Sequence, residues 1–390
     1  MAKKLESSSA NTIKERLAQL NSKYGNGRVV ACFGNELPPT EYVPTGNIQV
    51  DTQLFGGLGL PQGTSAVLEG WKGSGKTVFL QHWIAAAQKQ YPDKYTVIVA
   101  GEKGDYCLEA FRERDIDQDR IIVLDALTAE SSLRMLVDLL WDPTALKPRD
   151  EVSLWGIDSI AALLPEAEEA VEIGDQTVRA PMATLLHKFL RPALAKQGKA
   201  VGIMVNQLRR GMSTGMPSAP KQFGGEAPEY YPKVLLKFTP FDADEPGKVW
   251  NEKQRESFEI SVKAEKNNTH TGFQGAQCYY HVYNIVKDGH GRGIDPIESL
   301  IRAAVIFGQI KKSASWLAFD YQGEEIKAQG ESKLAVILRE KPALVKSLKE
   351  DVFKEARRVS QAGVEIVDKE TGELLSQIEE HPSVGFEDLV

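Results

Sequence analysis

Apolar and polar positions along the chain follow two periods. Five short runs are rich in β-branched and other apolar residues: Ala66 to Glu69, Thr96 to Ala100, Ile121 to Leu124, Leu154 to Asp158 and Ala200 to Val205. Between them lie stretches of helical period, Val78 to Lys89, Ser131 to Leu140 and Pro181 to Ala195, where apolar residues recur three or four apart. Strands alternating with helices predict an α/β fold, a mostly parallel central sheet with helices on its faces. Such sheets bind their ligands at the carboxyl ends of the strands.

Ahead of this stretch, Asn11 to Tyr24 sets Ile13, Leu17 and Leu20 at helical spacing, and Gly25 fits a helix C-cap. Pro38, Pro39 and Pro44 mark a break before the core. From Phe258 the pattern turns to two hairpin strands, Phe258 to Ala264 and Gln277 to Ile285. After glycines 289, 291 and 293 comes a smaller helix-and-strand unit reaching about Arg339. Lys346 to Arg358 is charged and periodic, and the residues beyond it are expected to be disordered. The expected organisation is an amino-terminal arm (1–38), a core (39–290), a small carboxyl-terminal α/β domain (291–350) and a tail (351–390).

Composition narrows the setting. A chain of 390 residues exceeds what one compact core usually holds, and 42% hydrophobic with 26% charged residues is a soluble, globular balance. No apolar run is long enough to span a bilayer, and Met1 to Asn11 lacks the apolar stretch of a secretory signal, which makes the cytoplasm the expected compartment. Cys32, Cys107 and Cys278 are far apart and suit free thiols, and neither they nor the six histidines show metal-ligand spacing. The net charge of −7 argues against a nucleic-acid partner until it is located. From Val367 to Val390, Asp368, Glu370, Glu373, Glu379, Glu380, Glu387 and Asp388 stand against Lys369 alone, so this end of the chain carries most of the imbalance.

The strongest local chemistry is Gly70-Trp71-Lys72-Gly73-Ser74-Gly75-Lys76-Thr77, which follows a predicted strand and opens a predicted helix. This is the phosphate-loop pattern, in which successive backbone N–H groups and a helix N-terminus cradle anionic oxygens. Lys76 is expected to reach the β- and γ-phosphates of ATP, and the Thr77 hydroxyl to hold Mg²⁺. Asp158, closing an apolar strand, is the second metal-site acid; its other reading is a cap on the next helix. Glu102 is the candidate for orienting the attacking water, and Asn206-Gln207 could place an amide at the γ-phosphate.

In their order and spacing these elements resemble the core of bacterial and phage RecA recombinases. The stretches that carry the resemblance are Val43 to Asp51, Gly56 to Gly63, the phosphate loop, Ile157 to Pro165 with Glu172 to Asp175, and Val205 to Arg209 with Gly224-Gly225. It covers about residues 12 to 350. The resemblance implies an ATPase and recombinase that forms a helical filament on single-stranded DNA and pairs it with duplex. It assigns the catalytic glutamate to Glu102 and the γ-phosphate-sensing glutamine to Gln207. It also implies ATP between protomers, reached by two lysines of the next subunit. Lys266 fits the first, and Asn268 stands where the second belongs.

Two loops carry DNA in the family. Here they fall at about Glu168 to Val178, followed by Arg179, and at Arg209 to Gly225, with Arg209, Arg210, Met212 and Lys221 as contacts. A mobile surface loop with ordinary charges is the other reading of the second. Ile13, Leu17 and Leu20 either pack on their own core or dock on a neighbouring copy, where Tyr230 matches the receiving aromatic. The carboxyl-terminal unit resembles a duplex-binding domain, with Lys311, Lys312 and Lys327 as phosphate contacts or merely a solvated face. Single-strand-binding and mediator proteins are partners the family admits, and the residues do not identify them. A ring-forming helicase or translocase, and an ATP-binding filament regulator with little turnover, are the alternatives.

Overall fold

The computed structural model describes the whole chain except residues 1, 26–28, 103, 126, 171–180, 212–217, 241–255, 287–290, 363–365, 368–373 and 377–390. The seven acidic residues from Asp368 to Asp388 therefore lie outside the described residues, and two short strands near them, Ile366–Val367 and Leu374–Ser376, are paired.

A ten-stranded sheet organises the core. In chain order its strands are β1 (Ser65–Gly70), β2 (Tyr95–Ala100), β3 (Ile121–Leu124), β4 (Val152–Asp158), β5 (Val201–Gly211), β6 (Ser218–Gln222), β7 (Val234–Pro240), β8 (Ser257–Asn267), β9 (Gln277–Tyr283) and β10 (Gly293–Ile294). Their spatial order is β10-β9-β8-β7-β1-β5-β4-β2-β3, with β6 beside β5. From β7 to β3 every neighbouring pair is parallel. The run from β7 to β10 is antiparallel.

Period-two alternation distributes each central strand to two faces. Leu68, Ile98, Leu154 and Ile203 pack with Phe79, Leu80 and Trp83 of the helix Lys76–Gln90, here α3 in a chain that begins with α1 (Ala2–Tyr24) and α2 (Ile48–Gln53). Val67, Val97, Val99, Trp155 and Ile157 face the other way, onto two helices whose bounds are Ala129–Leu140 and Pro181–Lys196. The first of these starts at Thr128, whose side chain accepts from Ser131 N at 3.3 Å.

A third cluster forms the carboxyl-terminal unit: a helix Pro296–Ile306, a three-stranded sheet Lys311–Ser313, Trp316–Tyr321 and Glu324–Gln329, and helices Glu331–Glu340 and Pro342–Ala362. Ile48 of α2 belongs to this cluster and seats the unit on the core. The helix Pro342–Ala362 continues through the boundary expected at residue 350, because Leu344, Leu348, Val352, Ala356 and Val359 form one buried stripe.

The second expected loop differs from its reading as irregular chain. β5 runs on to Gly211 and pairs antiparallel with β6, so Arg209 faces Lys221 across a ladder. The strand continues because β6 supplies partners for its backbone groups beyond the sheet edge. The amino-terminal helix covers the predicted stretch, and none of its described residues joins the three clusters.

Candidate nucleotide site and its link to the β5–β6 arm

Register brings the chemistry to one edge of the sheet. Gly70 pairs with Gln207 across β1 and β5, and Ala100 with Asp158 across β2 and β4. The carboxyl ends of three parallel strands, with β5 at Gln207 between them, thus deliver the phosphate loop, Gln207, Asp158 and Glu102 to a common cleft of about 520 Å³. Lys72 to Thr77, Glu102, Asp158 and Gln207 all line it.

The loop's backbone takes the shape its glycines permit. Gly73 and Gly75 hold φ of +79° and +77°, and a Cβ on Gly75 would run into Ile260. α3 begins at the next residue, so its N-terminal N–H groups open on the cleft. Lys76 is buried, and its Nζ donates to the carbonyls of Gly70 at 3.1 Å and Trp71 at 2.8 Å and to Ser74 Oγ at 3.2 Å. Burial brings its pKa down to about 8, against the pull of the Asp158 and Glu102 charges.

Asp158 is buried, and burial raises its carboxyl to about 6 in spite of hydrogen bonds from Thr77 and Tyr106. Tyr106 Oη donates to Oδ2 at 2.9 Å. Glu102 Oε1 accepts from Gln207 Nε2 at 2.7 Å and from Ser159 Oγ at 3.1 Å. Hydroxyl and carboxylate oxygens are the hard donors that suit Mg²⁺. Among the described residues no group of three or more His, Cys, Asp or Glu side chains is placed to hold a metal. A site with one hydroxyl and one carboxylate fits a cation whose remaining ligands are phosphate oxygens and water.

The other expected residues lie elsewhere. Lys266 is outside the cleft; its Nζ donates to the carbonyls of Glu229 at 2.8 Å and Tyr230 at 3.1 Å. Tyr230 is 75% exposed. Asn268 donates its backbone N–H to the Lys233 carbonyl at 2.9 Å, and its side chain is exposed. Arg209 is exposed and lies 4.4 Å over the Phe223 ring. Val178, Arg179 and Met212 lie outside the described residues, and for Arg210 and Lys221 only the backbone is described. Ile13 is exposed, with Leu17 and Leu20 half-buried. The sequence reading missed Tyr106, Ser159, and the pairing of buried Glu69 with half-buried Gln222 at 2.6 Å. Ser159 lies within the motif Ile157 to Pro165, whereas the others carried no local signal.

A parallel sheet that delivers a phosphate loop, a buried strand-end acid and a cleft glutamate to one edge defines a phosphate-loop nucleotide-binding protein. The family model described as the RecA N-terminal domain matches residues 11–284. The chain is 29% identical over 369 residues to Protein RecA of Thermus aquaticus, covering 93% of this chain and 99% of that one. It is 30% identical over 381 residues to Protein RecA of Corynebacterium glutamicum, covering 95% and 91%, and 30% identical over 364 residues to that of Kineococcus radiotolerans, covering 90% and 95%. The chain belongs to the RecA family of recombinases.

Proposed function

We propose that the chain binds ATP with Mg²⁺ in this cleft, hydrolyses it in response to DNA, and assembles head to tail on single-stranded DNA to pair it with homologous duplex. The observation that carries the reading is the Gln207–Glu102 hydrogen bond. It joins the cleft carboxylate to β5, the strand that runs on into the arm carrying Arg209 and Arg210.

Gly70 to Thr77 are the triphosphate cradle, with Lys76 leaving the loop carbonyls for the phosphate oxygens. Thr77 and Asp158 would hold Mg²⁺, which would supply charge neutralisation at the phosphate oxygens. Glu102 orients the attacking water and accepts its proton as the oxygen bonds to the γ-phosphorus; the bond to the bridging oxygen breaks, and ADP and phosphate leave. Gln207 reports that event to the arm. Lys266 serves the site of a neighbouring copy, which its place on the surface beside Tyr230 allows. Arg209, Arg210, Met212 and Lys221, with Val178 and Arg179, contact the single strand. Lys311, Lys312 and Lys327 on the small sheet contact duplex.

Homology-dependent strand exchange with ATP tests the whole reading, since it requires binding, polymerisation and pairing together. Single-stranded DNA should stimulate ATP hydrolysis, and Lys76→Ala and Glu102→Ala should each abolish that turnover. Wild-type turnover in the Glu102 variant would remove the residue from the role. Exposed Asn268 supports a second reading, a filament protein with slow turnover, and strand exchange that proceeds with ATP but without measurable hydrolysis is its signature.

A further inference from the structure

Two strands that pass the cleft also hold the arm. Glu69 precedes Gly70 on β1, is buried, and accepts from Gln222 Nε2, the last residue of β6. Asn206 precedes Gln207 on β5, is buried, and donates from Nδ2 to the Phe223 carbonyl at 2.9 Å. Glu69 and Asn206 are register partners, as are Gly70 and Gln207. Alternation along a strand therefore sends Gln207 to the cleft and sends Glu69 and Asn206 to the opposite face. There they grip consecutive residues, 222 and 223, at the return of the arm.

The Glu69 grip is costly if its only task is packing. Burial raises the Glu69 carboxyl's pKa, with the Lys237 charge and the Gln222 hydrogen bond opposing, and Gln222 Oε1 is buried with no hydrogen-bond partner. Two apolar side chains of the same volume would fill the space without desolvating a carboxylate and an amide. What the polar pair adds is direction, a single short bond between one atom of β1 and one of β6. The carbonyl of Gly70, the residue after Glu69, is one that Lys76 holds.

We propose that Glu69 and Gln222 are positioning residues that couple the phosphate loop to the β5–β6 arm, a second tie alongside Glu102–Gln207. The state of Lys76 at the Gly70 carbonyl biases the end of β1, and Glu69 passes that bias to the return strand of the arm. This rests on the arm being the DNA-contacting element. Coupling of this kind is reciprocal: nucleotide changes DNA affinity by the same factor by which DNA changes nucleotide affinity.

The test reads that factor on the full chain, as affinity for a labelled single-stranded oligonucleotide with and without a non-hydrolysable ATP analogue. Glu69→Met with Gln222→Met keeps volume and removes the bond, and should lower the ratio at least fivefold. The swap Glu69→Gln with Gln222→Glu rebuilds the bond and should keep the ratio within twofold of wild type. A methionine pair with the wild-type ratio overturns the proposal, as does a swap that loses as much as the methionine pair. If the methionine pair does not fold, Gln222→Asn, one methylene too short to reach, is read the same way and should lower the ratio. A ratio of one in the wild type overturns the proposed function itself, a pattern distinct from a loss confined to the variants.

Discussion

Buried titratable residues set opposing pH slopes in this chain. His82 on α3 accepts the Ile294 N–H at 3.0 Å through Nε2, and burial, with the Arg114 charge, lowers its pKa from 6.5 to about 3. The unfolded chain takes up that proton first, so the stability His82 contributes is intact above pH 6.5 and is lost as pH falls toward 3. By pH 5 the loss is about 2 kcal/mol. Asp51 and Asp158, both raised to about 6 by burial, act the other way. Each folded carboxyl holds its proton more tightly than the unfolded one, so each stabilises as pH falls through 6, by about 1.3 kcal/mol at pH 5. These contributions oppose one another in the wild type, so only a comparison isolates one group. In urea melts, the stability difference between wild type and His82→Gln should shrink by about 2 kcal/mol from pH 7 to pH 5. A difference that does not change with pH would show that His82 is not held neutral. At this scale Lys76, Thr77 and Asp158 were legible because motif spacing and backbone conformation are local. Tyr106, bonded to Asp158 across 52 residues, and Glu69, bonded to Gln222 across 153, depend on sheet register, which a single sequence does not print.

At the scale of elements, the alternation of strand and helix was legible because each central strand is buried on both faces, which leaves continuous apolar runs. The β5–β6 arm was not, because its polar residues read as loop and its pairing is made outside the core. The arm sharpens what its arginines are expected to do. Arg209 lies over Phe223, and such a cation–π contact competes with a phosphate for the guanidinium. Each phosphate contact to a single strand contributes about 0.7 to the slope of log affinity against log salt. Arg209→Ala with Arg210→Ala should therefore weaken oligonucleotide binding and flatten that slope by about 1.4 if both residues contact DNA. A change of about 0.7 would leave one of them off the DNA, with Arg209 held by Phe223. An unchanged slope would exclude the arm as the DNA element. ATP binding is expected to survive in either case, since Arg209 does not line the cleft and Arg210 follows it on β5, farther from Gln207.

For the whole molecule, the proposed assembly turns on the amino-terminal helix. Its apolar stripe of Ile13, Leu17 and Leu20 joins no cluster of its own chain, with Ile13 52% exposed. Asn21 fixes the chain that leaves it: Oδ1 accepts from Val30 N at 2.7 Å and Ala31 N at 2.8 Å, and Nδ2 donates to the Ala31 carbonyl at 2.7 Å. A stripe presented on a fixed stem suits a different surface on another copy. Contacts between unlike surfaces extend without closing unless the rotation happens to return on itself. Electron microscopy with single-stranded DNA and a non-hydrolysable ATP analogue should therefore show open helical filaments, and closed rings would favour the helicase or translocase reading. Leu17→Asp with Leu20→Asp places two charges in the stripe without disturbing a core cluster. The variant should melt like wild type and bind nucleotide, yet give only short oligomers in sedimentation. Wild-type filaments from this variant would return the helix to a role within its own chain, and a large drop in melting temperature would place its stripe in the chain's own core.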